Sequence, residues 1–269
     1  MYFSEHEANN PFKDKLSRGE LVVGTWINVI KDPILPKLLA PCGLDYVLID
    51  AEHSGATLAT ISETCLIARE CGLYPMVRPA DPNDLKMNGR LLDAGAMGLV
   101  IPHIDSAEQA RAIVNSMKFF HGGTRGYSSA NIGSGFRKMT AEAMAQADEQ
   151  VTCVVQFESV SAIEQADGIM AIDGVDVAIV GRGDLAHDMG LPGKPTDERV
   201  SAMVEKVYAA ARRHGKAQGL LANSLDGALK WLDRGIQFLT YGSEVTWLLD
   251  AYTTGVEKIR AAAQTQAKE

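Results

Sequence analysis

Short apolar runs rich in β-branched residues alternate along the chain with longer amphipathic stretches, and the alternation repeats eight times. The runs that predict strands are VVGTWINV (22–29), YVLID (46–50), YPMVR (74–78), GLVIPH (98–103), TCVVQFE (152–158), DVAIVG (176–181), AQGLLAN (217–223) and FLTYGSE (238–244). Most are continuously apolar rather than alternating, as expected of strands covered on both faces of a parallel sheet. Between them, TLATISETCLIARE, SAEQARAIVNSMKFF and DERVSAMVEKVYAAARR carry apolar residues at helical spacing. Several helical patterns stop at a glycine just before the next strand, as in APCGLDYVLID, ARECGLYPMVR, LLDAGAMGLVI, AIDGVDVAIV, RRHGKAQGLL and LDRGIQFLTY. A helix commonly ends in a left-handed residue, which glycine adopts without steric cost.

Eight strand–helix units within 269 residues predict a (β/α)8 TIM barrel rather than a doubly wound sheet. No GxGxxG follows the first strand, which weakens a dinucleotide-binding reading further. The pattern predicts one domain over residues 1–269, with an N-terminal segment to about residue 20. The last helix, from about 245 to 267, is longer than a barrel needs and is expected to pack on, or exchange with, a neighbouring subunit. One connection breaks the rhythm: HGGTRGYSSANIGSGFRKM (121–139), followed by the helical AEAMAQADE. A loop of that length inside a compact domain is usually functional or mobile.

Composition narrows the function classes. The chain is 46% hydrophobic and 22% charged, close to an ordinary soluble protein. A formal net charge of −8 argues against a nucleic acid or an anionic membrane as the main partner. No apolar run is long enough to cross a bilayer, and MYFSEHEANNPFKDK lacks the order of a signal peptide, so a cytoplasmic location is expected. Cys42, Cys65, Cys71 and Cys153 show no metal-ligand spacing and read as free thiols.

In a barrel of this kind, reaction sites form at the C-terminal ends of the strands. Those ends carry Asp50, Glu52 and His53 after the second strand, Arg78 after the third and His103 after the fourth. Gln156 and Glu158 close the fifth, and GRGDLA, with Arg182 and Asp184, follows the sixth. Glu158 and Asp184 come from adjacent strands. Paired carboxylates repel unless a proton or cation lies between them, and such oxygen ligands suit Mg2+ or Mn2+. Solvated rim acids would account for the same pair without chemistry. Gln156 and Glu158, two apart, share one strand face. Arg78 needs an anion, either a carboxylate or a developing enolate oxygen, and a bridge to Glu52 is the structural alternative. His53 is a base, a ligand or a surface histidine, and Asp50, three residues earlier, is expected to hold its imidazole. His103 reads as wall.

At these residues the chain resembles the HpcH/HpaI aldolases, the class II pyruvate-dependent aldolases. The matching phrases are GTW (24–26), LIDAEH (48–53), VRP (77–79), LLDAG (91–95), RGY-S (125–128), QFE (156–158) and GRGDL (181–185), in family order from about Leu16 to Trp247. The resemblance implies a divalent metal, Mg2+, Mn2+ or Co2+, on Glu158 and Asp184, with a pyruvate enolate formed there. It implies His53 as base with Asp50 orienting it, and Arg78 stabilising the enolate oxygen. Gln156 and the Gly183 backbone N–H would hold the pyruvate unit, and Asp93 of LLDAG would reach a neighbouring subunit's site. The reaction implied is reversible cleavage of a 4-hydroxy-2-oxo acid to pyruvate and an aldehyde, in a homo-oligomer, hexameric or trimeric. Where the family has GPAD this chain has GRGD, so Arg182 is expected to meet an anionic aldehyde, unless it points to solvent or bridges to Asp184 or Asp188. Decarboxylation of oxaloacetate at the same site is the nearest rival. A CoA-ester lyase lacks the basic groove it would need, and a barrel that binds a keto acid without turnover leaves the chemical residues unexplained.

Overall fold

The computed structural model describes residues 11–266, and the first ten residues of the N-terminal segment, with the last three of the chain, lie outside it. Eight parallel strands close into one barrel in sequence order: β1 (Val22–Ile27), β2 (Tyr46–Asp50), β3 (Tyr74–Arg78), β4 (Gly98–Ile101), β5 (Thr152–Phe157), β6 (Val177–Val180), β7 (Ala217–Ala222) and β8 (Phe238–Ser243). Helical returns run between them on the outside, so this is the (β/α)8 architecture that the alternation predicts. The six helix-ending glycines, Gly43, Gly72, Gly95, Gly174, Gly215 and Gly235, all have positive φ. Thr57, Ser106 and Asp197 cap the three quoted helices by accepting backbone N–H groups of their first turns.

Several strands stop one or two residues short of the expected ranges, because the polar tips belong to the connections. After β4, His103 takes a left-handed backbone with φ 49°, which no extended strand tolerates. Glu244 opens the last helix rather than ending β8.

Alternation along each strand sorts the core into two layers. Tyr46, Leu48, Tyr74, Met76, Val100, Val154, Ile179 and Phe238 point inward and fill the barrel. Val47, Ile49, Val77, Leu99, Val155 and Val180 point outward against the helices. The helix Phe12–Ser17 closes the floor at the N-terminal ends of the strands. Phe12 stacks on Tyr74 at 4.2 Å and meets Tyr46 edge-on at 5.7 Å. Burying such a side chain contributes about 1.5–3 kcal/mol. Gly24 is required under the Tyr46 ring, where any Cβ would collide. The Tyr46 hydroxyl pairs with Thr240 at 2.8 Å, so this aromatic floor leaves no buried polar atom of Tyr46 unpaired.

The last helix spans Glu244–Gln266. Its first turn is tied down, with Ser243 Oγ accepting the Thr246 N–H at 3.2 Å. Beyond that turn Leu249, Tyr252 and Ile259 are 64%, 71% and 71% exposed. No helix among the described residues is long and apolar enough to cross a membrane. All four cysteines are free, Cys65 and Cys153 buried and Cys42 exposed.

Candidate active site

The inward positions change character toward the C-terminal end of the barrel. Following Tyr46 and Leu48, the next inward residue of β2 is Asp50; following Tyr74 and Met76 in β3 it is Arg78. The two are register partners in the sheet. Their side chains therefore meet, with Arg78 Nε donating to Asp50 Oδ1 at 2.9 Å and Nη2 to Oδ2 at 2.8 Å. Both are buried, at 8% and 1% exposure. Arg78 Nη1 also lies 3.0 Å from Glu52 Oε2, an ion pair by distance in which the oxygen accepts no aligned hydrogen bond. Below the guanidinium, the indole of Trp26 stands 4.3 Å from Arg78 Cζ.

This geometry corrects one expectation. Asp50 grips Arg78, not the His53 imidazole, because register partners on neighbouring strands lie side by side while His53 is carried outward by a turn. Asp50 does shape that turn: its Oδ1 accepts the Glu52 N–H at 3.0 Å, and its carbonyl accepts from the Ser54 hydroxyl. His53 stands at the rim, its side chain 67% exposed and its Nε2 3.6 Å from Glu52 Oε2.

Glu158 and Gln156 form the opposite wall, both buried. Gln156 Nε2 donates to Glu158 Oε1 at 2.5 Å, and the His103 N–H donates to Glu158 Oε2 at 2.9 Å. The His103 ring bridges the two walls, its Nε2 2.9 Å from Glu52 Oε1 and its Nδ1 3.2 Å from Glu158 Oε2. So His103 does more than line a wall, and Glu52 and Trp26 join the cluster. Their presence in one place follows from the register of separate strands, although LIDAEH and GTW contain two of them.

Burial holds the Glu158 carboxyl above the ordinary carboxylate range, and the charge of Asp184 pushes the same way against the hydrogen bonds from His103 and Gln156. Gly181 packs so tightly on the Glu158 carboxylate that a Cβ there would collide. Gly183 and Asp184 follow, exposed, in the first turn of the helix Arg182–Asp188. Two buried acceptors at this mouth lack a hydrogen-bond donor, Gln156 Oε1 and Glu52 Oε2. Among the described residues no three histidine, cysteine or acidic side chains gather around one point as a closed metal cage. Two carboxylates with an orphaned amide oxygen nonetheless fit a hard divalent cation that keeps positions for water and substrate.

Arg182 departs from expectation. Its Nη2 donates to the Leu221 carbonyl at 3.3 Å and its guanidinium lies 5.6 Å from the Trp231 ring, against the next unit of the barrel. Burial lowers its pKa. It bridges neither Asp184 nor Asp188; its guanidinium meets the Leu221 carbonyl and the Trp231 ring instead.

Asp93 ends the helix Leu85–Asp93, which returns the chain to the N-terminal end of the barrel, away from His53 of the same chain. There it pairs with Arg125 Nη2 at 2.9 Å. Arg125, itself part of the loop 121–139, thus ties that loop to the barrel, its guanidinium 4.6 Å from the Phe119 ring. Loop and barrel line a half-open cavity of about 530 Å3, bordered by Asp93, Arg125, Met97 and Val151. That cavity is separate from the mouth just described.

Comparison with known proteins gives a consistent answer. The family model described as HpcH/HpaI aldolase/citrate lyase matches residues 23–251. A hydroxypyruvate/pyruvate aldolase of Roseovarius nubinhibens is 36% identical, covering 89% of this chain and 92% of its own. A 4-hydroxy-2-oxo-heptane-1,7-dioate aldolase of Klebsiella pneumoniae is 33% identical, over 89% and 90%. The crystal structure of an HpcH/HpaI aldolase from Desulfitobacterium hafniense superposes with a TM-score of 0.87 at 34% identity, covering 92% of this chain and 96% of that one.

Proposed function

Since this chain belongs to the HpcH/HpaI aldolase/citrate lyase family, we propose that the mouth formed by β2, β3, β5 and the helix Arg182–Asp188 cleaves, and reversibly forms, a 4-hydroxy-2-oxo acid from pyruvate and an aldehyde. The enzyme is a carbon–carbon lyase of the aldolase type. Glu158 and Asp184 would hold a divalent cation, Mg2+, Mn2+ or Co2+, with the orphaned Gln156 oxygen beside it. When bound, such a cation polarises the keto group of a 2-oxo acid as a Lewis acid.

The remaining chemistry belongs to side chains. Arg78 has five N–H donors, of which two are spent on Asp50 while Nη1 stands 3.0 Å from Glu52; the rest can meet the oxygen on which charge develops as the methyl group loses its proton. His53, at the exposed rim, takes that proton and returns it in the reverse direction. Gln156 and the Gly183 N–H orient the pyruvate carboxylate. The Gly183 N–H lies in a helix's first turn, where backbone donors have no partner earlier in the helix. Asp93 serves a neighbouring copy of the chain, since its own His53 is at the other end of the barrel.

The observation that carries this reading is Glu158, a buried carboxylate facing the charge of Asp184, with the His103 imidazole 3.2 Å away and no lysine or arginine among the described residues paired to it. The test is exchange of the pyruvate methyl protons into D2O. The enzyme stripped with EDTA should be inactive, Mn2+ should restore exchange, and His53→Ala should abolish it while sparing decarboxylation of oxaloacetate. Exchange that survives EDTA, or that survives loss of the imidazole, would end the proposal. A screen of aldehydes with pyruvate then names the second substrate.

A further inference from the structure

We infer that Glu244, a buried carboxylate outside the reacting cluster, is a positioning residue that sets the tilt of Arg78 through the β1 loop and Trp26; the inference rests on the aldolase reading above. Glu244 is the first residue of the last helix and only 6% exposed. Its carboxylate accepts three successive backbone N–H groups: Asn28 at 3.0 Å, Val29 at 2.5 Å and Ile30 at 2.9 Å. Three consecutive amides turned to one point make an anion-binding concavity, which here is filled by the protein's own acid. The loop after β1 therefore owes its shape to a side chain more than two hundred residues away.

Trp26 lies one residue short of this loop and is gripped from its other side. The Thr25 hydroxyl bonds the carbonyls of Tyr241 and Gly242 at 3.1 and 3.2 Å, at the end of the same strand that delivers Glu244. The junction of β8 with the last helix thus clamps β1 on both sides of the indole. The bidentate bond to Asp50 fixes the Arg78 guanidinium within its own plane. Rotation of that plane about the ion-pair direction is opposed on one side by the indole face 4.3 Å away, beside the Glu52 carboxylate 3.0 Å from Nη1. The tilt decides where the unspent N–H groups point over the mouth. Donors aimed at a developing charge act on the transition state more than on bound substrate, so a loosened tilt should lower kcat with little change in KM.

The experiment compares Glu244→Gln, Glu244→Asp, Trp26→Leu and the Glu244→Gln/Trp26→Leu double variant in pyruvate proton exchange with Mn2+ present. It adds the emission of Trp26 in a Trp231→Phe/Trp247→Phe background, which leaves it as the single indole. Glu244→Gln should cut kcat about tenfold with KM held within about twofold. Glu244→Asp, which keeps the anion, should recover most of the loss. The double variant should be no slower than Trp26→Leu alone, since both act along one line. The Trp26 emission should move to longer wavelength in Glu244→Gln as the indole loses its seat. Additive losses, an unchanged kcat or an unmoved emission would overturn the inference. Should Glu244→Gln fail to fold, Glu244→Asp carries the same comparison, with a partial loss in kcat and a smaller emission shift expected. If the parent enzyme shows no exchange at all, the aldolase reading fails, and the emission alone decides the role of Glu244.

Discussion

Replacing Asp50 by asparagine separates the two roles that residue can have. The side chain keeps its shape, its Oδ1 can still accept from Arg78 Nε and from the Glu52 N–H, but an NH2 group now faces the donor Nη2. One charge-assisted bond is lost and a guanidinium at 8% exposure keeps only Glu52 as an anionic neighbour. Breaking a buried pair by removing one partner costs about 3–5 kcal/mol, and the surviving Glu52 contact puts this case near 3 kcal/mol. For a chain of this size that corresponds to a fall of about 6–12 °C in melting temperature. Urea unfolding followed by circular dichroism, without metal, measures it. Asp50→Asn/Arg78→Met should recover part of the loss, since an apolar residue needs no counter-ion. A stability within about 0.5 kcal/mol of the parent, together with a displaced pH profile of proton exchange, would refute the reasoning and return Asp50 to service on His53.

Glu158→Gln should stabilise the metal-free protein at alkaline pH and not in acid. A raised carboxyl pKa means that the fold prefers the neutral form, so the parent's stability from this group is present below the unfolded value and is lost as pH rises through the folded one. Melting curves in EDTA at about pH 4 and pH 8 check the sign, and equal differences at both would contradict it. For the same reason Mn2+ affinity should fall before the ordinary carboxylate range is reached from above, as titration calorimetry would show. The native protein should expose Cys42 to a thiol reagent at once, while Cys65 and Cys153, buried and pushed up to about 12, react only after denaturation. Tyr252→Asp, in the exposed stripe of the last helix, should leave the barrel's melting temperature unchanged yet lower the assembly state seen by light scattering; an unaltered mass would remove that stripe from any subunit contact.

How legible each feature was depended on the range of the interaction behind it. The barrel showed through because its evidence repeats locally: an apolar run, an amphipathic helix, a glycine, eight times over. That Glu158 and Asp184 lie near enough to feel each other's charge was legible because they follow neighbouring strands, and neighbours in sequence order are neighbours in a barrel. The string puts Asp50 beside His53, three residues away, whereas strand register puts its carboxylate on Arg78. The surroundings of Arg182 were not legible, because nothing near it in sequence announces Trp231, 49 positions later.

Read alone, the amino-acid order determined the secondary elements, the closed parallel sheet and the rim on which the polar residues stand. These follow from short-range periodicity and from the rule that reaction loops gather at the carboxyl ends of barrel strands. Only the folded molecule decided which rim residues touch: Asp50 with Arg78, His103 between Glu52 and Glu158, Glu244 beneath the β1 loop. Those partnerships arise from strand register and from the closing of β8 onto β1, contacts between residues far apart in the chain that no local pattern encodes.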